Sequence, residues 1–246
     1  MLPRSIRGQQ FFSRSSWGDV MDDIKEGWDN GFFITDFDYG DGVYFVVMSK
    51  VEEWNGQAVR YASEFPTDDI KELWGKRYSI TNMQYDGSDW IVVMTGVDYC
   101  LKQKMFRCMD ADDFKERVSN GWNEDKIITK LCCKQEYYGN TYVGVMTEYR
   151  DSSPSQSRSF LRGVVLASEL MDLCSDGKYI TDIFDFGGGV MVATESGTEW
   201  RSCKIYRCGS TGTLAESIRE CWDSGYCVTT LAYYDGEWFA VFGRTY

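Results

Sequence analysis

Apolar residues follow two alternating rhythms along this chain. In the first they stand four residues apart, as in Val20/Ile24/Trp28, Phe114/Val118/Trp122 and Leu214/Ile218/Trp222. That spacing draws a narrow apolar stripe down one helical face, with Asp, Glu and Lys outside it, and predicts amphipathic helices. In the second, apolar and polar residues alternate, as in Ile34-Thr35-Asp36-Phe37-Asp38-Tyr39. Turns rich in Gly and Asp follow, at Gly40-Asp41-Gly42, Asp86-Gly87-Ser88, Gly187-Gly188-Gly189 and Asp235-Gly236-Glu237. Aromatic and β-branched runs come next: Tyr44–Met48, Trp90–Met94, Tyr142–Met146, Val190–Thr194 and Trp238–Phe242. Alternation, turn and apolar run together predict a β-hairpin. A further strand is expected after a polar loop, at Val59–Ala62, Met105–Cys108, Phe160–Gly163 and Ile205–Cys208.

The helix–hairpin unit recurs five times. A Trp (28, 74, 122, 222) or Cys174 stands six residues before an Ile-Thr or Val-Thr pair, and the threonines fall at 35, 81, 129, 181 and 229. The third copy is four residues longer around Lys134–Asn140, which predicts a longer hairpin tip. Three strands and one helix cannot bury their faces alone, and repetition around an axis lets each unit cover the next. The expected fold is therefore all-β with peripheral helices: a closed five-bladed β-propeller, one domain over residues 1–246. The expected repeats lie near 17–62, 63–108, 109–163, 164–208 and 209–246. Phe12 precedes Trp28 by the interval that separates Phe106 from Trp122 and Tyr206 from Trp222. The N-terminal strand at 9–14 is accordingly expected to complete the last blade and close the ring.

The unit Ile-x-x-x-Trp…Gly-x-x-Ile-Thr…Trp-x-Val-Val-Met resembles the C-terminal repeat region of plant casein-kinase-1-like histone kinases. The second copy carries the likeness best, through Gln57, Tyr61, Ser63, Phe65-Pro66, Ile70, Trp74, Ile80-Thr81 and Trp90–Met94. No kinase accompanies it: a Gly-rich loop with a strand lysine, His-Arg-Asp and Asp-Phe-Gly are all missing. The resemblance implies a stand-alone form of a non-catalytic module. Copies three and four depart most, with Cys174 for the tryptophan and Val192-Ala193-Thr194 for Val-Val-Met.

Charge and chemistry narrow the function further. The 246 residues contain no histidine and carry a formal net charge of −12. Ser-His-Asp and Cys-His catalysis and His-ligated metals are thereby excluded, and a broad grip on nucleic-acid phosphates is not expected. Nine cysteines without a C-x-x-C pair read as buried, reduced thiols, with Cys100/Cys108 or Cys203/Cys208 as the alternative bridges. The compartment expected is cytoplasmic or nuclear. The acid-free start with Arg4, Arg7 and Arg14 keeps a mitochondrial or plastid alternative open. No membrane span and no cofactor are expected.

The repeat tryptophans read as core anchors and the Gly-Asp turns as hairpin geometry. Two clusters remain as candidate sites. Asp36, Asn82, Lys130, Asp182 and Thr230 follow the five threonines and should line a central channel, as a hydrated wall or a cation seat. Trp54, Tyr99, Tyr149, Trp200 and Arg201 stand in the variable loops between second and third strands and are expected to bind a partner. The function expected is a non-enzymatic protein-interaction scaffold, a subunit of a larger assembly with a basic partner. The alternative is a lectin-like carbohydrate binder with sites repeated around the ring.

Overall fold

A computed structural model describes residues 3, 6–136, 139–150, 155–175, 177–200 and 202–244. These residues form five three-stranded antiparallel sheets and five helices. The chain runs β1 (Gln9–Arg14), α1 (Trp17–Asp29), β2 (Phe33–Gly40), β3 (Val43–Ser49) and repeats that order four times. The second unit holds β4 (Trp54–Ala62), α2 (Thr67–Gly75), β5 (Tyr78–Tyr85) and β6 (Trp90–Val97). The third holds β7 (Cys100–Cys108), α3 (Ala111–Asn123), β8 (Ile127–Glu136) and β9 (Gly139–Tyr149). The fourth holds β10 (Ser155–Arg162), α4 (Ala167–Leu173), β11 (Lys178–Asp185) and β12 (Gly189–Ser196). The fifth holds β13 (Ser202–Cys208), α5 (Thr211–Asp223), β14 (Cys227–Tyr234) and β15 (Glu237–Arg244).

Every sheet has the same order: outer strand, second hairpin strand, first hairpin strand. The outer strand is the one just before the helix. This corrects the expected closure, because β1 pairs with β3 (Phe11 opposite Val47) and not with β15, whose outer edge is taken by β13. Two residues link β1 to α1, too few to carry β1 away from the sheet on which its own helix packs. Each sheet is thus built from one continuous stretch of chain, successive sheets are connected by the chain itself, and the fifth and first lie side by side with no chain connection between them. The first hairpin strands stand side by side in succession: β2 by β5, β5 by β8, β8 by β11, β11 by β14, and β14 by β2.

The helical stripes go where the spacing sends them. Val20 and Ile24, Phe114 and Val118, and Leu214 and Ile218 are buried against the sheets, while the tryptophans at the stripe ends are half-buried. Ser16, Asp110 and Ser210 cap three of the helices by accepting hydrogen bonds from N–H groups of the first turn. The hairpins of sheets one and five turn through two residues of positive φ, Asp41-Gly42 and Asp235-Gly236, the geometry that the twist of antiparallel strands favours. In the third unit the surplus lengthens the strands: Glu136 still pairs with Gly139, and the tip, 137–138, lies outside the described residues.

The repeated Ile-Thr pair marks a β-bulge. Register shifts occur between Ile34 and Asp36, Ile80 and Asn82, Ile128 and Lys130, Ile180 and Asp182, and Val228 and Thr230. The threonine is the extra residue each time. Its hydroxyl donates to a carbonyl of the neighbouring strand, that of Val47, Val93, Val145, Ala193 or Val241. The bulge also resets the alternation. Ile34 and Phe37 both enter the core, and Asp36 is turned to the opposite face.

Candidate functional site

Of the five residues that follow the bulged threonines, Asp36, Asn82, Lys130 and Asp182 meet, and all five are buried. Lys130 Nζ lies 2.9 Å from Asp182 Oδ1 and 3.5 Å from Asp36 Oδ1. Asn82 donates its amide to Asp36 Oδ1. Asp36 Oδ2 accepts the Leu231 N–H at 2.7 Å, and Asp182 Oδ2 accepts the Leu131 N–H at 3.0 Å. The two aspartates therefore bind the backbone of the adjoining sheet, and Lys130 ties the first, third and fourth sheets together. Thr230 is buried as well, but its hydroxyl has no hydrogen-bond partner among the described residues.

The electrostatics follow from the placement. Burial alone would pull the Lys130 ammonium down. Asp182 and Asp36 outweigh it and hold its pKa above the ordinary lysine value. Burial pushes Asp182 up, with Lys130 opposing. The ammonium stands between two carboxylates, where a bound cation would otherwise sit. Among the described residues no group of three or more His, Cys, Asp or Glu is arranged to hold a metal ion.

One layer further along the inner strands, Asp38 accepts hydrogen bonds from the Tyr39 N–H, the Tyr233 N–H and the Gln84 amide. Burial drives its pKa to about 7 against the opposing pull of Lys130 and the backbone donors. Above this layer, at the hairpin end, a cavity of about 330 Å³ opens. Asp38, Asp41, Asp86 and Asp185 contribute its carboxylates, Tyr39, Tyr85 and Tyr233 its rings, and Lys130 reaches its floor. Gln135 steadies Asp185 at 2.6 Å, and Tyr44 donates to Asp86 at 2.5 Å. The mouth is acidic and aromatic.

The expected partner-binding aromatics lie elsewhere, and three of them are not exposed. Trp54, Tyr99 and Trp200 are 4%, 7% and 5% exposed. Trp54 donates its indole N–H to Tyr99 Oη at 3.1 Å, and Trp200 donates to the Pro3 carbonyl at 3.2 Å. Tyr149, half-buried, stacks on Tyr99 with ring centroids 5.9 Å apart. Arg201 lies outside the described residues. The correction has a simple cause. Trp54 opens strand β4, and the polar neighbours that suggested a loop face solvent while the indole turns inward. The alternative Cys100/Cys108 and Cys203/Cys208 bridges are also excluded. Each pair lies along one strand, about 26 and 17 Å apart at strand rise, far beyond disulfide reach.

A second set of residues is not among the expected sites: a glutamine in the outer strand of four sheets. Gln57 Oε1 accepts from Trp28 Nε1 (3.0 Å) and the Ile34 N–H (2.8 Å), and its Nε2 donates to the Ile34 carbonyl (2.9 Å). Gln103 does the same for Trp74 and Ile80, Gln156 for Trp122 and Ile128, and Gln9 for Trp222 and Val228. Each glutamine clasps the helix and inner strand of a neighbouring sheet. Gln9 makes that link between the first sheet and the fifth.

No helix among the described residues is long and apolar enough to cross a membrane. No curated protein matches the chain. A model described as a domain of unknown function (DUF7477) matches residues 6–136, which take in the first two units and all of the third but its second hairpin strand. That match spans more than half of the 246 residues, and the chain belongs to the DUF7477 family.

Proposed function

We propose that the five sheets are the blades of a closed propeller that serves as a non-enzymatic protein-interaction scaffold, with the acidic mouth at its hairpin end as the docking face. Closure is supported by β14 lying beside β2 and by the Gln9 clasp on Trp222 and Val228. The resemblance to a non-catalytic kinase region agrees with a binding role. The observation that carries the functional reading is the cavity itself. Four carboxylates surround an opening flanked by three tyrosines, in a chain of net charge −12. A Lys or Arg side chain from a partner would find carboxylate acceptors and aromatic faces there, both of which favour a cation. The buried Lys130–Asp36–Asp182 cluster holds the floor rigid beneath it.

The test is affinity purification of the tagged full chain beside its Asp41→Asn/Gln135→Lys variant, which weakens the negative field at two exposed rim positions. The scaffold reading expects a stoichiometric protein partner that is lost in the variant and eluted by salt. Partners retained equally by both forms would overturn the placement of the docking face. Retention on immobilised glycans with no protein partner would overturn the scaffold reading in favour of the carbohydrate one.

A further inference from the structure

One of the five junctions is rebuilt throughout. Where four junctions join a helix tryptophan to an outer-strand glutamine, the junction of the fourth and fifth sheets joins Cys174 to Cys203. Their sulfurs lie 2.9 Å apart, and both residues are only partly buried. The substitutions are concerted. The glutamine's partner in its own sheet is Ser49, Thr95, Thr147 or Glu195 at the other junctions and Gly243 here. The space left by the smaller residues is taken by Tyr179 and Trp200. Their rings stack at 6.0 Å, Tyr179 Oη bonds Thr229 at 2.7 Å, and both rings press on the α-carbon of Gly243 so closely that no Cβ would fit there. The aromatic pair already fills the junction. Packing alone therefore does not explain why both members of the replaced clasp are cysteines.

We propose that Cys174 and Cys203 are a reversible redox pair, closing a disulfide that staples the C-terminal cap of helix α4, on the fourth sheet, to strand β13 of the fifth. The oxidant is a low-molecular-weight disulfide of the glutathione class. Cys174 is the attacking thiol, because the hydrogen bond from Cys203 holds its pKa below the ordinary thiol value against the opposing effect of burial. Its thiolate forms a bond to one sulfur of the small disulfide and expels the other as a thiolate. Cys203 then loses its proton to solvent, attacks the Cys174 sulfur of the mixed disulfide and expels the second small thiolate, which takes up a proton. Two protein thiols are oxidised to one disulfide while one small disulfide is reduced to two thiols. Burial instead pushes the thiols of Cys108, Cys132, Cys133 and Cys227 well above the ordinary value, which leaves them little thiolate with which to compete.

The experiment equilibrates the native full chain with glutathione buffers of graded oxidation, blocks free thiols, and maps peptides without reduction. The expected result is a single linked pair, Cys174–Cys203, formed while the other cysteines stay alkylatable and reversed by reduced glutathione. The oxidised form should melt about 4–10 °C higher, the scale of a cross-link that closes a short loop. Cys203→Ser should trap the small thiol on Cys174, and Cys174→Ser/Cys203→Ser, which preserves the packing of Tyr179 and Trp200, should abolish the redox-dependent shift. No Cys174–Cys203 link under fully oxidised glutathione would overturn the proposal. So would a scatter of pairings in which that link does not predominate.

Discussion

Gln57 lies on the outer strand of the second sheet and Trp28 on the helix of the first, and a hydrogen bond of 3.0 Å joins them. The same amide binds both the N–H and the carbonyl of Ile34, so one side chain satisfies an indole and two backbone groups of its neighbour. Half-buried polar groups of this kind gain from being paired and are costly to strand. The clasp therefore fixes the spacing and rotation of adjacent sheets, which apolar packing between flat faces leaves loosely determined.

Removing the bulge hydroxyl should weaken a single sheet without disturbing its neighbours' cores. In sheet two, Thr81 Oγ1 bonds the Val93 carbonyl and lies 2.7 Å from Thr95 Oγ1. Thr81→Val keeps the shape and removes both bonds, leaving Thr95 Oγ1 only the bond it accepts from Gln57, so urea unfolding should show a loss of about 1–3 kcal/mol. Thr81→Ser should lose less.

Lys130→Met should be the most damaging substitution in the inner cluster. It leaves Asp36 and Asp182 buried together without their counter-charge, a loss of about 3–5 kcal/mol for a broken buried pair. Replacing all three, as Asp36→Asn/Lys130→Met/Asp182→Asn, should recover part of that loss. A triple variant as unstable as the single one would show that the charges are not what holds the cluster.

Asp38 predicts a pH dependence of definite sign. Its folded pKa, about 7, exceeds the unfolded carboxylate value near 4. Between those values the native state keeps a proton that the unfolded chain has lost, so stability falls as pH rises through that window and levels off above about 7. Asp38→Asn removes the effect. The difference between wild type and variant should therefore change by a few kcal/mol from pH 4 to pH 8, in the variant's favour at the higher pH. Each pH unit between the folded and unfolded pKa values accounts for about 1.4 kcal/mol of it. Urea midpoints at several pH values measure it.

Much of the architecture was written in hydrophobic period. The stripe of Leu214, Ile218 and Trp222 and the hairpin around Asp235-Gly236 could be read directly, as could the inward turn of Asp36, Asn82, Lys130, Asp182 and Thr230. Sheet membership could not. Strand propensity says that Gln9–Arg14 is extended but not which edge it fills, and only the short link to α1 decides that. The bulge was hidden because Ile34-Thr35-Asp36 reads as ordinary alternation in one dimension. The polar residues around Trp54 mimic a loop although it opens strand β4, and Trp200 does lie in a loop, between β12 and β13, but its indole turns inward. The clasp did leave a signal. Gln57 and Gln103 each follow their Ile by 23 residues, and Cys203 follows Ile180 at the same interval.

The central claim is that the sheets close on themselves, and Gln9 tests it most directly. It bonds Trp222 Nε1, the Val228 N–H and carbonyl, and Ser49, as Gln57 and Gln103 bond their own partners. In a closed ring the junction of the last sheet with the first is one junction among equals. Urea unfolding of Gln9→Ala should then show a loss matching those of Gln57→Ala and Gln103→Ala, about 2–4 kcal/mol each. Full losses in Gln57→Ala and Gln103→Ala beside an unchanged midpoint in Gln9→Ala would mean that the first and fifth sheets do not meet, and would contradict the ring.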